Sequence, residues 1–264
     1  MGTLRDCVYG LAVGDALGVP YEGRARGTFT CTGMVGGGAH GKPAGTFSDD
    51  TSLALALCDS IRACGGIDCS DMRRRFEAWL LEGAYTTSGT FGVGATTRRA
   101  LQQGEGQAGE RACGNGSLMR TAPLAFAAAT DGEVSAVSAI THAHPTCTQA
   151  CVDAVRFARE LAAGVPVREA AAAIGQAGTL RLPREEVRSS AYVLHTLRAA
   201  IWCLATTGSY AECVLTAVDL GADTDTTAAV AGAFAGIVYG AAAIPHAWLA
   251  ALRGTDLIES CLFQ

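Results

Sequence analysis

Six glycines place the tightest constraint on how this chain can fold. Gly10, Gly14 and Gly18 recur every four residues near one end, and Gly232, Gly236 and Gly240 repeat that spacing near the other. Glycine inside a helix costs about 1 kcal/mol against alanine, so two such rows need an offsetting gain. A helix face without Cβ atoms lets a neighbouring backbone come close. The two rows therefore predict that the first helix and a helix near the C-terminus cross at short range in the centre of the fold.

Composition agrees with a helical core. Apolar residues make up 49% of the 264 and charged residues 17%, which excludes a disordered chain. Aromatics are only 6%, so the core rests on Ala, Leu, Val and Ile, a mixture that suits packed helices better than sheets. The apolar period is helical almost throughout. Ser48 can cap a helix ending at Gly65-Gly66, with Leu53, Leu57 and Ile61 on one face, and Ser70 can cap the next, with Met72, Phe76, Trp79 and Leu80 inward. Further helices are predicted over 117–129, 133–143, 146–163, 166–175, 184–206, 209–219, 224–243 and 246–252. Residues 27–33, GTFTCTG, alternate like a strand. With no repeat and no low-complexity linker, the expectation is one all-α domain spanning 1–264.

The formal net charge of −5 gives no reason to expect nucleic acid as a partner. Eleven cysteines, an odd number without a repeating framework, argue for reduced thiols. MGTLRDCVYG lacks the features of a secretory signal, and Asp6 stands where myristoylation needs a hydroxyl, so a cytoplasmic location is expected. Residues 228–244 carry no charge but consist mostly of Ala and Gly, too weakly apolar for a membrane span. Nothing demands a partner chain, and a monomer is expected.

The chemistry concentrates in two acidic helix starts. Asp223, Thr224, Asp225 and Thr226 precede the least charged stretch of the chain, and Ser48, Asp49, Asp50 and Thr51 open another apolar helix. Such residues cap helices and favour the helix dipole. Two acids in each first turn also fit a metal site, because carboxylates are costly to bury unless paired or ligating; the residues alone leave both readings open. Asp49, Asp50, Asp223 and Asp225 carry four negative charges, and Ser48 and Thr226 add hydroxyl oxygens. Hard oxygen donors suit Mg²⁺ or Mn²⁺, and two divalent ions would neutralise four carboxylates. The residues reach as far as a metal-dependent hydrolase, with phosphate esters as natural a target as any.

The blocks GLAVGDALGVPYEG, GGGAHGKPAGTFSDDTSLALAL, GTFGVGATTRRAL, CGNGSLMRTAPLA, THAHP, SAYVLHTLRAAIWCL and LGADTDTTAAVAGAFAGIVYG follow one another in order. Over nearly the whole chain, from about Gly10 to Trp248, this series resembles the ADP-ribosylglycohydrolase family. The resemblance implies an all-helical fold holding two Mg²⁺ or Mn²⁺ ions, with Ser48, Asp49, Asp50, Asp223, Asp225 and Thr226 as ligands. Relatives more usually carry Thr at position 48; Ser keeps the hydroxyl. Glu22, on residues alone an ordinary loop acid, aligns with a glutamate near the scissile bond, and with Asp49 forms the expected catalytic pair. Asp15 reads as a buried structural acid.

The loop GNGSLMR offers backbone N–H groups at a helix start, which suits a diphosphate. With the resemblance, Gly114, Asn115, Gly116, Ser117 and Met119 are expected to bind substrate, and Arg120 to reach phosphate or a structural ion pair. His142 aligns with a histidine at the ligand site. A zinc reading of His142, His144, Cys147 and Cys151 fails, since four ligands within ten residues are too tight and Pro145 breaks the local geometry. GVGATTRRAL has Thr97 where a dinucleotide fingerprint needs its third Gly. The implied activity is hydrolysis of the bond between ADP-ribose and an acceptor, a modified protein side chain such as arginine or serine or a small conjugate. A phosphoester or pyrophosphate hydrolase and a non-catalytic, crystallin-like or ADP-ribose-binding relative are the alternatives. Acceptor choice is expected in the loops at 21–26 and 82–93.

Overall fold

A computed structural model describes residues 2–264. Helix α1 (Leu4–Gly18) opens with a capping box: the Asp6 N–H donates to the Thr3 hydroxyl, and the Thr3 N–H donates to the Asp6 carboxylate. Helix α2 (Asp49–Cys64) starts at Ser48 and stops at Gly65, whose φ of 71° is the left-handed conformation of a helix stop. Then come α3 (Cys69–Glu82), α4 (Ala95–Gln103), α5 (Asp131–Ala139), α6 (Pro145–Ala162) and α7 (Val167–Ala173). The chain closes with α8 (Val193–Thr206), α9 (Tyr210–Val218), α10 (Thr224–Tyr239), α11 (His246–Ala251) and α12 (Thr255–Cys261). The fold is all-α, with no β-strand among the described residues.

The two glycine rows do meet. A Cβ on Gly10 would stand 2.2 Å from the Gly232 carbonyl oxygen, and one on Gly14 would stand 2.1 Å from the Ala228 carbonyl oxygen. From the other side, Cβ atoms on Gly232 and Gly236 would fall 2.3 Å from the Gly10 and 2.2 Å from the Asp6 carbonyl oxygens. The pairing runs antiparallel, so the end of α1 lands on the start of α10, where a Gly18 Cβ would lie 2.3 Å from Asp225 Cα. Gly240 stands apart from the crossing: its φ of 80° ends α10. Both helices are buried over most of their length, within an apolar cluster to which α2, α3, α6, α8 and α9 also contribute.

Several predicted elements need correction, each for a local reason. Residues 27–33 form a loop, not a strand: Phe29 stacks on Tyr21 at 4.7 Å, and the Cys31 N–H donates to Asp219 rather than to a neighbouring strand. The cap of α3 is Asp68, which accepts the Ser70 and Asp71 N–H groups. Residues 117–129 hold two short 3₁₀ turns, Leu118–Arg120 and Ala122–Phe126, because Pro123 supplies no N–H to a longer helix. Within 184–206 only α8 is α-helical; carbonyls of the preceding segment are taken by Arg26, Asp223 and Asn115. Helices α4 and α12, short at nine and seven residues, were not anticipated.

Because these contacts are backbone against backbone, no rotamer change can relieve a side chain placed there. Gly14→Leu or Gly236→Leu should cost about 4 kcal/mol or more and abolish soluble expression. Wild-type melting curves for both variants would show that the crossing is not a constraint.

Candidate active site

Three helix ends converge where α1 meets α10. Asp15, in the last turn of α1, is fully buried and works as a clamp on α2. Its carboxylate accepts the Ser48 N–H at 3.0 Å, the Thr51 N–H at 3.0 Å and the Thr51 hydroxyl at 2.7 Å. Burial still raises it to about 6 against those hydrogen bonds. The clamp sets the first turn of α2, so Asp49 and Asp50 face the first turn of α10. One oxygen from each of Asp15, Asp50 and Asp225 lies within 4.8 Å of the others, all three side chains buried. Asp15 therefore joins the acidic cluster as well as holding its frame.

Asp50 is 1% exposed and only half satisfied. Its Oδ2 receives the Ser48 hydroxyl at 3.0 Å and lies 3.5 Å from the Thr226 hydroxyl, joining the two predicted halves; its Oδ1 has no partner. Asp49, Asp50 and Asp225 are each pushed well above the usual carboxylate range, first by burial and then by neighbouring carboxylates. Burial also raises Asp223, against hydrogen bonds that include one from the Asn115 amide. An orphaned carboxylate oxygen inside an all-oxygen, all-acidic cluster fits a hard divalent cation, which would supply the missing positive charge.

Above this floor lies a cavity of about 530 Å³. Glu22, Asp49, Gly114, Asn115, Gly116, Met119, His142, Asp223, Asp225 and Thr226, all singled out in the sequence, line it. Ser48 and Asp50 sit beneath them, buried. Ser117 is placed differently: fully buried below its loop, its hydroxyl 2.9 Å from that of Ser138 rather than facing the cavity. Arg120 makes no ion pair among the described residues; it is fully buried, donating to the Gly116 carbonyl and the Thr141 hydroxyl. The rejected zinc cluster is ordinary packing: His144 caps α6, and Cys147 and Cys151 are buried.

The rim comes from loops. The Gly23 N–H donates to the Ala222 carbonyl and the Ala222 N–H to the Arg24 carbonyl, each at 2.8 Å, so the Glu22 loop is tied to the Asp223 loop. Ala222 accepts an unusual φ of 60° to make this turn. Across the opening, His40 Nε2 lies 2.5 Å from Glu22 Oε2, and the His40 ring packs against Phe91. Gly92, with φ of 77°, passes so close to Asp49 that a Cβ there would stand 2.3 Å from Oδ1. The start of α4, Gly94 to Thr97, completes the wall, with no side-chain cap on its first turn. This wall and the segment Ser190–Ala191 fall within the blocks GTFGVGATTRRAL and SAYVLHTLRAAIWCL, but none of their residues stands out for a site role by its type or spacing.

Comparison with known proteins places the chain in a family. Residues 3–263 fit the ADP-ribosylglycohydrolase family profile. An ADP-ribosylarginine hydrolase of Serratia proteamaculans is 31% identical, over 98% of this chain and 78% of its own. The ADP-ribosyl-(dinitrogen reductase) glycohydrolase of Rhodospirillum rubrum is 33% identical, over 92% of this chain and 87% of its own. A solved structure titled ADP-ribosylglycohydrolase-related protein complex superposes with a TM-score of 0.84 at 33% identity, covering 98% of this chain and 95% of that one. With an all-α frame, an acidic floor and a glycine-rich loop in one cavity, the chain belongs to the ADP-ribosylglycohydrolase family.

Proposed function

We propose that this cavity hydrolyses the bond between the anomeric carbon of ADP-ribose and an arginine side chain. The observation that carries the reading is the half-satisfied Asp50 at the base of a cavity walled by the glycine loop. Asp49, Asp50, Asp223 and Asp225, with Ser48 and Thr226, would hold two divalent cations, Mg²⁺ or Mn²⁺. When bound, such ions polarise sugar hydroxyls and make a nearby water more acidic. The protein's own groups divide the remaining work. The 114–116 loop and His142 receive the diphosphate. Glu22, oriented by His40, takes a proton from the attacking water as its oxygen bonds to the anomeric carbon. The carbon–nitrogen bond breaks, and the departing guanidine leaves with the bonding electron pair and takes up the proton that Glu22 removed from the water.

Arginine is favoured as acceptor for two reasons. Glu22, which is not among the proposed metal ligands, leaves a carboxylate on the cavity wall that suits a guanidinium group, and the Serratia relative carries the name of an ADP-ribosylarginine hydrolase. Mono-ADP-ribosylated arginine incubated with the protein and Mg²⁺ or Mn²⁺ should yield intact ADP-ribose and free arginine, and chelator should stop the release. Appearance of AMP would instead mark a pyrophosphate hydrolase, and no product from arginine, serine or small conjugates would defeat the proposal.

Two variants test the assigned roles. Glu22→Gln should lower kcat by about 10²- to 10⁴-fold while ADP-ribose still binds. Asp50→Asn should raise the melting temperature of the metal-free protein, because it removes a buried, unpaired charge. The same change should erase the stabilisation that Mg²⁺ or Mn²⁺ gives the wild type. If calorimetry shows equal metal-induced shifts in both proteins, Asp50 is not a ligand.

A further inference from the structure

Behind His142 stands a chain of hydrogen bonds whose direction is fixed by chemistry. Arg120 is fully buried, its guanidinium 4.6 Å from the centre of the Phe76 ring. Its Nη2 lies 2.9 Å from the Thr141 hydroxyl, and that hydroxyl lies 2.8 Å from His142 Nδ1. Guanidinium has donors only, so the Thr141 oxygen must accept from Arg120. The Thr141 proton then points along its other contact, since the buried hydroxyl has no other acceptor in reach among the described residues. His142 Nδ1 is left accepting, and the ring carries its proton on Nε2.

That Nε2 faces the glycine loop. It lies 3.4 Å from where a Gly114 Cβ would be and 3.3 Å from where a Gly116 Cβ would be, and His142 lines the cavity beside both. A second proton on the ring is opposed from behind: burial first, then the Arg120 charge, lowers His142 to about 3. The ring therefore offers the cavity an N–H and no lone pair. Phosphate oxygens only accept, so the opposite tautomer would turn a lone pair toward an anion.

We propose that Arg120 and Thr141 are positioning residues that lock His142 in its Nε2–H tautomer, as a neutral donor to a diphosphate oxygen at the 114–116 loop. This rests on reading the cavity as an ADP-ribose site, and it gives a role to an arginine that reaches neither phosphate nor carboxylate.

The test joins a spectroscopic signature to binding. In protein labelled with ¹⁵N-histidine, long-range proton–nitrogen correlation should show Nε2 protonated and Nδ1 bare at neutral pH. In Thr141→Val the lock is lost and the ring should populate the other tautomer. Affinity for ADP-ribose with Mg²⁺ present should fall about tenfold, the worth of one hydrogen bond to a charged group. ADP, which keeps the diphosphate without the terminal ribose, should lose the same factor, and Thr141→Ser should restore both tautomer and affinity. A bare Nε2 in the wild type, or unchanged affinity in Thr141→Val, overturns the proposal. Loss confined to ADP-ribose overturns the diphosphate assignment. A wild type that binds no ADP-ribose defeats the functional reading instead, and its ring spectrum still decides whether the lock exists. Should the valine variant not fold, the wild-type spectrum and the serine variant carry the decision.

Discussion

Everything in this molecule hangs on the contact between α1 and α10. Carbonyl oxygens of each helix occupy space that Cβ atoms would fill on the other, at Gly10, Gly14, Gly232 and Gly236. A contact of that kind has one workable register, because a one-residue slide would drive a side chain into a backbone. The register puts Gly18 against Asp225, and so brings Asp15 and the Glu22 loop to the start of α10. A further bond pins it, from the Thr224 hydroxyl at the start of α10 to the Gly18 carbonyl, while the Tyr210 hydroxyl ties α9 to α1 at the Gly10 carbonyl. Close packing offsets the cost of glycine in these helices, and the register it sets brings acids more than 200 positions apart, such as Asp15 and Asp225, to one place.

Asp15 and Asp50 show how the same buried side chain serves two ends. Asp15 is fully exposed to donors: two N–H groups and a hydroxyl, all from the first turn of α2, converge on it. It is a satisfied anion and fixes backbone. Asp50 has hydroxyl contacts on one oxygen and nothing on the other, while burial and then its acidic neighbours raise it well above the usual carboxylate range. The helix starts at α2 and α10 place partial positive charge near these acids, which is too little to balance them all. An unbalanced carboxylate that folding still holds in place would gain from a bound cation, and that is the physical basis of the proposed metal site.

Much of this was legible in the amino-acid order, and the limits have physical causes. The glycine rows, the Ser48 cap and both acidic helix starts are local patterns with helical period, so they survive translation into structure. The 187–192 segment looked helical because its apolar spacing permits it, yet its carbonyls are claimed by Arg26, Asp223 and Asn115, which are distant in the chain. Arg120 looked like a phosphate or carboxylate partner, since nothing local says that it is buried over Phe76. Asp15 read as structural and is so, but its place in the triad with Asp50 and Asp225 depends on the crossing. Non-local hydrogen bonds and burial are what sequence spacing cannot report.

The floor and the rim of the cavity are built by different means, and that bears on specificity. The floor consists of helix ends held by backbone contact and by the Asp15 clamp, so its geometry tolerates little change. The rim consists of loops tied by a few polar contacts: Glu22 to His40, Gly23 and Arg24 to Ala222, Arg26 to the Leu220 and Arg184 carbonyls, Lys42 to Ser88. Loops joined this way can vary in sequence and length without moving the acids below. The proposed chemistry at the anomeric carbon depends on the floor and on Glu22, whereas the acceptor must pass the rest of the rim. On the proposed reading, two proteins of this family that share the acidic cluster, Glu22 and the glycine loop would differ in acceptor through the other rim residues, within 21–26 and 82–93.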